Sequence, residues 1–249
     1  MEASKVIDTP IVMATRLDMD EAGSPINQTM YRGIIGSLLY LTVSRLDIIF
    51  NVGLCARFQS NPKESYLKAT KRILRYLKGT QDLVLYYPTG DSINLIGYVD
   101  AGYAGYLVDR KSTFGMAHFL GSCLISWGTR NRNLVALSIV EVEYVIAASY
   151  CAQLLWIKNQ LEDFGVLTKS VTLLCNNTSA LNMAKNPVQH KRTKDIDVRH
   201  HFLRDNVEKG LICMMFCSTE DQIADIFTKA LSREHFERNR VKLELLKLN

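Results

Sequence analysis

The sequence predicts an α/β fold: a five-stranded mixed sheet flanked by helices and preceded by a helical N-terminal segment. Three observations carry this. Residues 27–79 place apolar side chains at helical spacing. Pro88-Thr89-Gly90-Asp91 is a turn signal at which the pattern changes. Beyond it the order is three strands, helix, strand, helices, strand, helix, and helical crossovers favour parallel pairing of the later strands.

In chain order, residues 1–26 read as a polar, weakly structured lead-in. Residues 27–90 form the helical segment. Its clearest helix starts at Asn61-Pro62-Lys63-Glu64, where Asn61 can cap and Pro62 suits the first turn. Leu67, Thr70, Ile73, Leu74 and Leu77 follow at helical spacing, and Gly79 ends it. The sheet domain is expected over 91–232. Its strands fall at 93–100, 113–120, 123–127, 171–175 and 211–217, with a long helix over 138–164. Further helices are expected after 175, over 197–209 and over 221–229. A C-terminal helix is expected over 233–249, with its periodicity running to 246.

The chain has 249 residues, 47% hydrophobic, and a net charge of +5. That length suits one sizeable core with a helical appendage. The longest apolar run, 33–43, is too short to span a bilayer. The first residues lack the basic-then-apolar pattern of a signal peptide. The expectation is therefore a soluble intracellular protein with no membrane partner. The six cysteines include no Cys-x-x-Cys pair. Cys213 and Cys217 would stand ~13 Å apart on a strand, too far for a disulfide, so buried reduced thiols are expected. Residues 57–78 carry seven Lys or Arg against one acid, Glu64. That suits a polyanionic partner or a solvated helix face about equally.

Four positions stand out as chemistry. Asp100 closes the first strand of the sheet domain before a glycine-bearing loop, where it either enters a cleft or caps the turn. Glu143 heads the stripe Ala147, Tyr150, Leu154, Ile157 and Leu161 on the long helix. There an unpaired carboxylate is costly, unless it leans to solvent at the helix start. Ser138 and Glu141 have capping-box spacing. Asp225 follows the last strand on a short helix held by Ile223, Ile226 and Phe227. Asp197 competes with it but is explained by capping. The fourth strand should supply another acid at its end, as two-metal phosphodiester cleavage needs a carboxylate cluster. It supplies Asn176, in LLCNNTSAL.

The stretches YRGIIGSLLYLT, RFQSNPKESYLKATKRILRYLKGT, GYVDAGYAGYLVDRKST, VALSIVEVEY, LLCNNTSALNMAKNPVQHKRTK, IDVRHHFLRDNVEKG and STEDQIADIFTKAL, in that order, resemble a copia-type LTR-retrotransposon Pol polyprotein. The resembling part is the C-terminal connection of its reverse transcriptase followed by its ribonuclease H domain. The resemblance spans residues 31–231. It implies a ribonuclease H-like fold for 91–232 and a connection or thumb-like remnant for 27–90. It also implies a four-acid site holding two Mg²⁺ ions, or Mn²⁺, that hydrolyses the RNA strand of RNA–DNA hybrids. Asp100, Glu143 and Asp225 match three of the acids, and the fourth falls on Asn176. Asp197 matches a position outside the catalytic set.

Nucleic acid would be held by Lys68, Lys71, Arg72, Arg75 and Lys78, and by Lys191, Arg192 and Lys194 of the basic loop. The remaining partner implied is the rest of the polyprotein, in a cytoplasmic virus-like particle or the nucleus. The departures point to impaired activity. Asn176 removes a charge, and Gly102 and Tyr106 stand where the family often has acids. Asp195 replaces a usual His, and Ile139-Val140 replace small polar residues. No Asp-Asp dipeptide is present, so no polymerase site is expected. The alternative is a catalytically dead relic that folds and binds nucleic acid. A D-D-E integrase is disfavoured by the glutamate on the long helix.

Overall fold

The computed structural model describes residues 5–13, 15, 17–89, 92–102, 112–132, 139–166, 169–185 and 199–247. They fall into two units. The first comprises described residues of Met1–Tyr86 and Lys229–Asn249, and the second those of Tyr87–Gly105 and Lys111–Thr228.

In the first unit, helix α1 (Gln28–Leu41) is capped by Asn27, whose side chain accepts from the Met30 N–H at 2.8 Å. It buries Tyr31, Ile35 and Leu38 on one stripe. Helix α2 (Ile49–Ala56) buries Val52 and Cys55, and the Tyr31 hydroxyl donates to the Cys55 carbonyl at 3.0 Å. Helix α3 (Glu64–Lys78) buries Tyr66, Thr70, Ile73 and Tyr76, while Leu67, Leu74 and Leu77 are half-buried. Its cap corrects the sequence reading. The helix begins after Lys63, not at Asn61, and no side chain caps it. The Glu64 N–H donates instead to the Ser24 carbonyl at 3.0 Å. The lead-in is correspondingly more ordered than expected. Ser65 Oγ donates to Asp20 Oδ2 at 2.6 Å, Lys63 Nζ to the Gly23 carbonyl at 3.0 Å, and the Tyr66 hydroxyl to the Asp18 carbonyl at 2.7 Å.

A buried ion pair closes this unit. Arg45 Nε and Nη2 donate to Asp47 Oδ1 and Oδ2 at 3.0 and 2.7 Å, and Asp47, fully buried, also accepts from the Tyr76 hydroxyl. Burial opposes the guanidinium charge, but the Asp47 bond and charge outweigh it and hold Arg45 above its usual pKa. Strand β1 (Leu83–Leu85) pairs antiparallel with a strand at the C-terminus, Leu245–Lys247. The helix expected to 246 stops at Lys242, because Glu244 takes φ 58° and buried Leu243 and Leu245 turn inward.

The second unit is a five-stranded sheet. Its strands are β2 (Leu95–Gly102), β3 (Ser112–Leu120), β4 (Cys123–Arg132), β5 (Val171–Cys175) and β6 (Ile212–Phe216), in the order β4-β3-β2-β5-β6. The first three form an antiparallel meander, and β5 and β6 extend it in parallel. This is the ribonuclease H-like mixed sheet that the resemblance implies. Helices α4 (Ile139–Asp163), α5 (Thr178–Lys185) and α6 (Arg199–Glu208) flank it. The core joins Leu95, Val99, Phe114, Leu154, Leu173 and Met214. α4 lies so close to β2 that a Cβ at Gly97 would stand 2.6 Å from Leu154 Cδ1. The predicted stripe is the buried one, with Ala147, Tyr150, Leu154 and Ile157 in the core and Leu161 half-buried.

The expected helix over 221–229 is a short 3₁₀ turn, Ile223–Phe227, started by the Gln222 side chain, which accepts from the Ala224 N–H at 3.2 Å. Helix α7 (Arg233–Lys242) and strand β7 (Leu245–Lys247) complete the chain in the first unit. All six cysteines are free. Cys213, however, is exposed, since β6 is an edge strand whose alternate residues face out. Ser138 and Asp197 lie outside the described residues, as do Lys191, Arg192 and Lys194. No helix among the described residues is long and apolar enough to cross a membrane.

Candidate active site

Register brings the first two site residues together. β2 and β5 run parallel with Tyr98 level with Leu174. Two residues further along both strands are Asp100 and Asn176, on the same face. Asp100 is 3% exposed and Asn176 is half-buried. Asn176 Nδ2 donates to Asp100 Oδ1 at 3.3 Å. The adjacent asparagines divide two tasks. Asn177 Oδ1 caps α5, accepting from the Ser179 and Ala180 N–H groups at 2.9 and 3.1 Å, and Asn176 is left for Asp100.

The 3₁₀ turn supplies the third side. Gln222 Nε2 donates to the Val99 carbonyl at 2.9 Å, tying the turn to β2 one residue before Asp100. A Cβ at Gly115, which pairs with Asp100, would stand 2.8 Å from the Ala224 carbonyl and 2.7 Å from Thr228 Cγ2. Only a glycine lets the turn sit this close. It buries Asp225 completely. It also delivers Thr228, whose hydroxyl donates to Asp100 Oδ2. The sequence reading gives no role to Thr228 or Gln222. Thr228 was findable, since it follows Asp225 by three residues and so shares its face on a helical turn.

The acids also act on two buried thiols. Burial pushes Cys217 up to about 12, with Cys175, Asp225, Asp100 and Asp221 adding to the rise. Burial pushes Cys175 up to about 11. A hydrogen bond with the Asn177 backbone lowers it, Glu143 raises it and Lys185 lowers it. Asp100 and Asp225 therefore bear on one buried thiol. Glu143, half-buried near the start of α4, bears on the thiol next to Asn176.

The residues as arranged do not fit a divalent cation. Such ions want several anionic oxygens turned to one point. Here Asn176 turns an N–H donor toward Asp100, and Thr228 donates to the other carboxylate oxygen. Among the described residues, no three His, Cys, Asp or Glu stand together as a metal seat.

Of the predicted nucleic-acid residues, Lys68, Lys71 and Lys78 are exposed on α3, whereas Arg72 and Arg75 are half-buried. Arg72 Nη2 donates to Thr9 Oγ1 at 3.1 Å. Burial, and then Arg75, lower the Arg72 pKa.

Sheet order and strand directions give the second unit the ribonuclease H-like fold. No family model matches the chain. It is 37% identical over 238 residues to the retrovirus-related Pol polyprotein from transposon RE1 of Arabidopsis thaliana, covering 95% of this chain and 16% of that protein. It is 35% identical over 245 residues to the corresponding polyprotein from transposon TNT 1-94 of Nicotiana tabacum, covering 95% and 18%. The chain belongs to the retrovirus-related Pol polyproteins of transposons. It spans about a sixth of the length of these two polyproteins. One solved structure, the N-terminal ribonuclease H domain of a Mycobacterium tuberculosis protein fused to maltose-binding protein, matches at TM-score 0.38 and 9% identity. It covers 60% of this chain and 98% of that one.

Proposed function

We propose that this chain carries a retrotransposon ribonuclease H-type domain whose hydrolysis of the RNA strand of RNA–DNA hybrids is impaired at Asn176. The observation that carries the reading is the contact between Asp100 and Asn176 at two adjacent parallel strand ends. Two acids at this place, with Glu143 and Asp225, are the set that the resemblance links to two Mg²⁺ or Mn²⁺ ions. An amide there leaves three charges and turns a donor toward the first. Single electrostatic losses of this kind lower rates by roughly 10² or more. The exposed basic face of α3, with Lys68, Lys71 and Lys78 beside Arg72 and Arg75, supports backbone contacts to nucleic acid. The rest of the polyprotein is the other proposed partner.

The test is cleavage of a labelled RNA–DNA hybrid by the full chain in Mg²⁺, beside Asn176→Asp. The variant should cut faster by roughly 10² or more. Equal rates would refute the charge-loss argument. The orientation of the Asn176 amide favours a second reading, a relic that binds hybrid without cutting it. Retained binding with no cleavage by either protein would support that.

A further inference from the structure

We propose that Asn176 and Thr228 form a cation-independent clamp on Asp100, closing the sheet end by hydrogen bonds. The inference rests on the ribonuclease H-type reading, because it concerns the same acid.

Asp100 is 3% exposed, and a carboxylate taken from water needs donors or an opposite charge. Each of its oxygens has a donor on the chain: Asn176 Nδ2 at 3.3 Å on Oδ1, and the Thr228 hydroxyl on Oδ2. The Thr228 hydroxyl also lies 3.2 Å from the Asp225 carbonyl. It has one proton to give, and the closer contact is to Asp100. Three segments thus converge on one buried acid: the end of β2, the residue after β5 and the end of the 3₁₀ turn.

A cation approaching Oδ1 from the Asn176 side would meet the positive end of the amide. Turning the amide over would set oxygen against oxygen at the same distance, favourable only with a cation between them. The two glycines beside Thr228 fit this arrangement. A Cβ at Gly115 would stand 2.7 Å from Thr228 Cγ2, and one at Gly102 3.0 Å from the Thr228 carbonyl. Any side chain at 102 would crowd the residue that supplies the second donor.

The experiment is thermal unfolding of the full chain followed by the fluorescence of Trp127 and Trp156, both in the second unit. Each protein is compared in EDTA and in millimolar Mg²⁺. Wild type should melt at the same temperature in both. Thr228→Val should melt roughly 3–8 °C lower in both, and Thr228→Ser, which keeps the hydroxyl, should recover most of the loss. Asn176→Asp should melt lower in EDTA and regain stability with Mg²⁺. A saturable rise of the wild-type melting temperature with Mg²⁺, lost in Asp100→Asn, would overturn the proposal, as would a Thr228→Val that melts like wild type. Failure of the functional reading looks different. In that case Asn176→Asp gains no hybrid cleavage, while wild type and the Thr228 variants still melt as expected.

Discussion

His118 makes the second unit acid-labile in a way that can be worked out from its surroundings. It lies fully buried in β3, opposite Gly97 of β2, with its ring edge-on to Tyr150 at 6.4 Å. Neither ring nitrogen has a hydrogen-bond partner among the described residues. Burial pushes its pKa down to about 4 from an ordinary 6.5. Because the folded pKa is below the unfolded one, the unfolded chain binds a proton in this window that the folded chain refuses. The contribution is therefore fully present above pH 6.5 and is lost as pH falls toward 4. Integrated over that window it is ~3 kcal/mol, at ~1.4 kcal/mol per pH unit where the slope is steepest. That is a large share of the ~5–15 kcal/mol by which domains are stable. The perturbation is His118→Leu, which removes the titrating ring and its unsatisfied donor. Urea unfolding of both proteins at several pH values, read by tryptophan fluorescence, gives the difference free of the carboxylates common to both. The variant should be as stable as wild type or slightly more so at neutral pH, and should gain on it steadily below pH 6.5. Parallel pH profiles for the two proteins would refute the assignment.

Two further predictions concern the first unit. Asp47→Ala strands the Arg45 guanidinium, 11% exposed, and removes the acceptor of the Tyr76 hydroxyl. It should cost ~3–5 kcal/mol in urea unfolding, whereas replacing Arg45 and Asp47 together by Met and Leu should cost much less; a loss below ~1 kcal/mol for Asp47→Ala would refute the burial argument. Neutralising Lys71, Arg72 and Arg75 to Gln should weaken hybrid binding and flatten its salt dependence, by up to roughly 0.9 in log–log slope for each phosphate left without its cation. An unchanged slope would make α3 surface only.

The sheet was legible because its signals are local. Five apolar runs, a turn at Gly121-Ser122 and a 25-residue helix specify a meander followed by crossovers. Asp100 and Asn176 could be matched because parallel strand ends bring equivalent positions level. What escaped depends on distant partners. Leu83–Leu85 is three residues long and pairs with Leu245–Lys247 from the far end of the chain, so no alternation announces it. Asn61 has every local mark of a helix cap, yet the Ser24 carbonyl takes the orphan Glu64 N–H and the helix starts later. Thr228 follows Asp225 by three residues, but its reach to Asp100 depends on a strand 128 residues away in sequence.

Asn176 reads differently once its donor is placed. In the sequence it is a subtraction, one charge fewer in a set of four. In the fold the same exchange of atoms adds something. A carboxylate at 176 would stand about 3.3 Å from Asp100 Oδ1. At that distance two like charges repel by ~5 kcal/mol at an effective dielectric of about 20, unless a cation lies between them. The amide replaces that repulsion with a hydrogen bond to a charged group, worth ~1.5–3 kcal/mol. On the proposed reading, crowded carboxylates oppose folding and favour chemistry, so a change that relieves the crowding stabilises the domain as it weakens the reaction. If so, stability and cleavage at this position must move in opposite directions when Mg²⁺ is withheld.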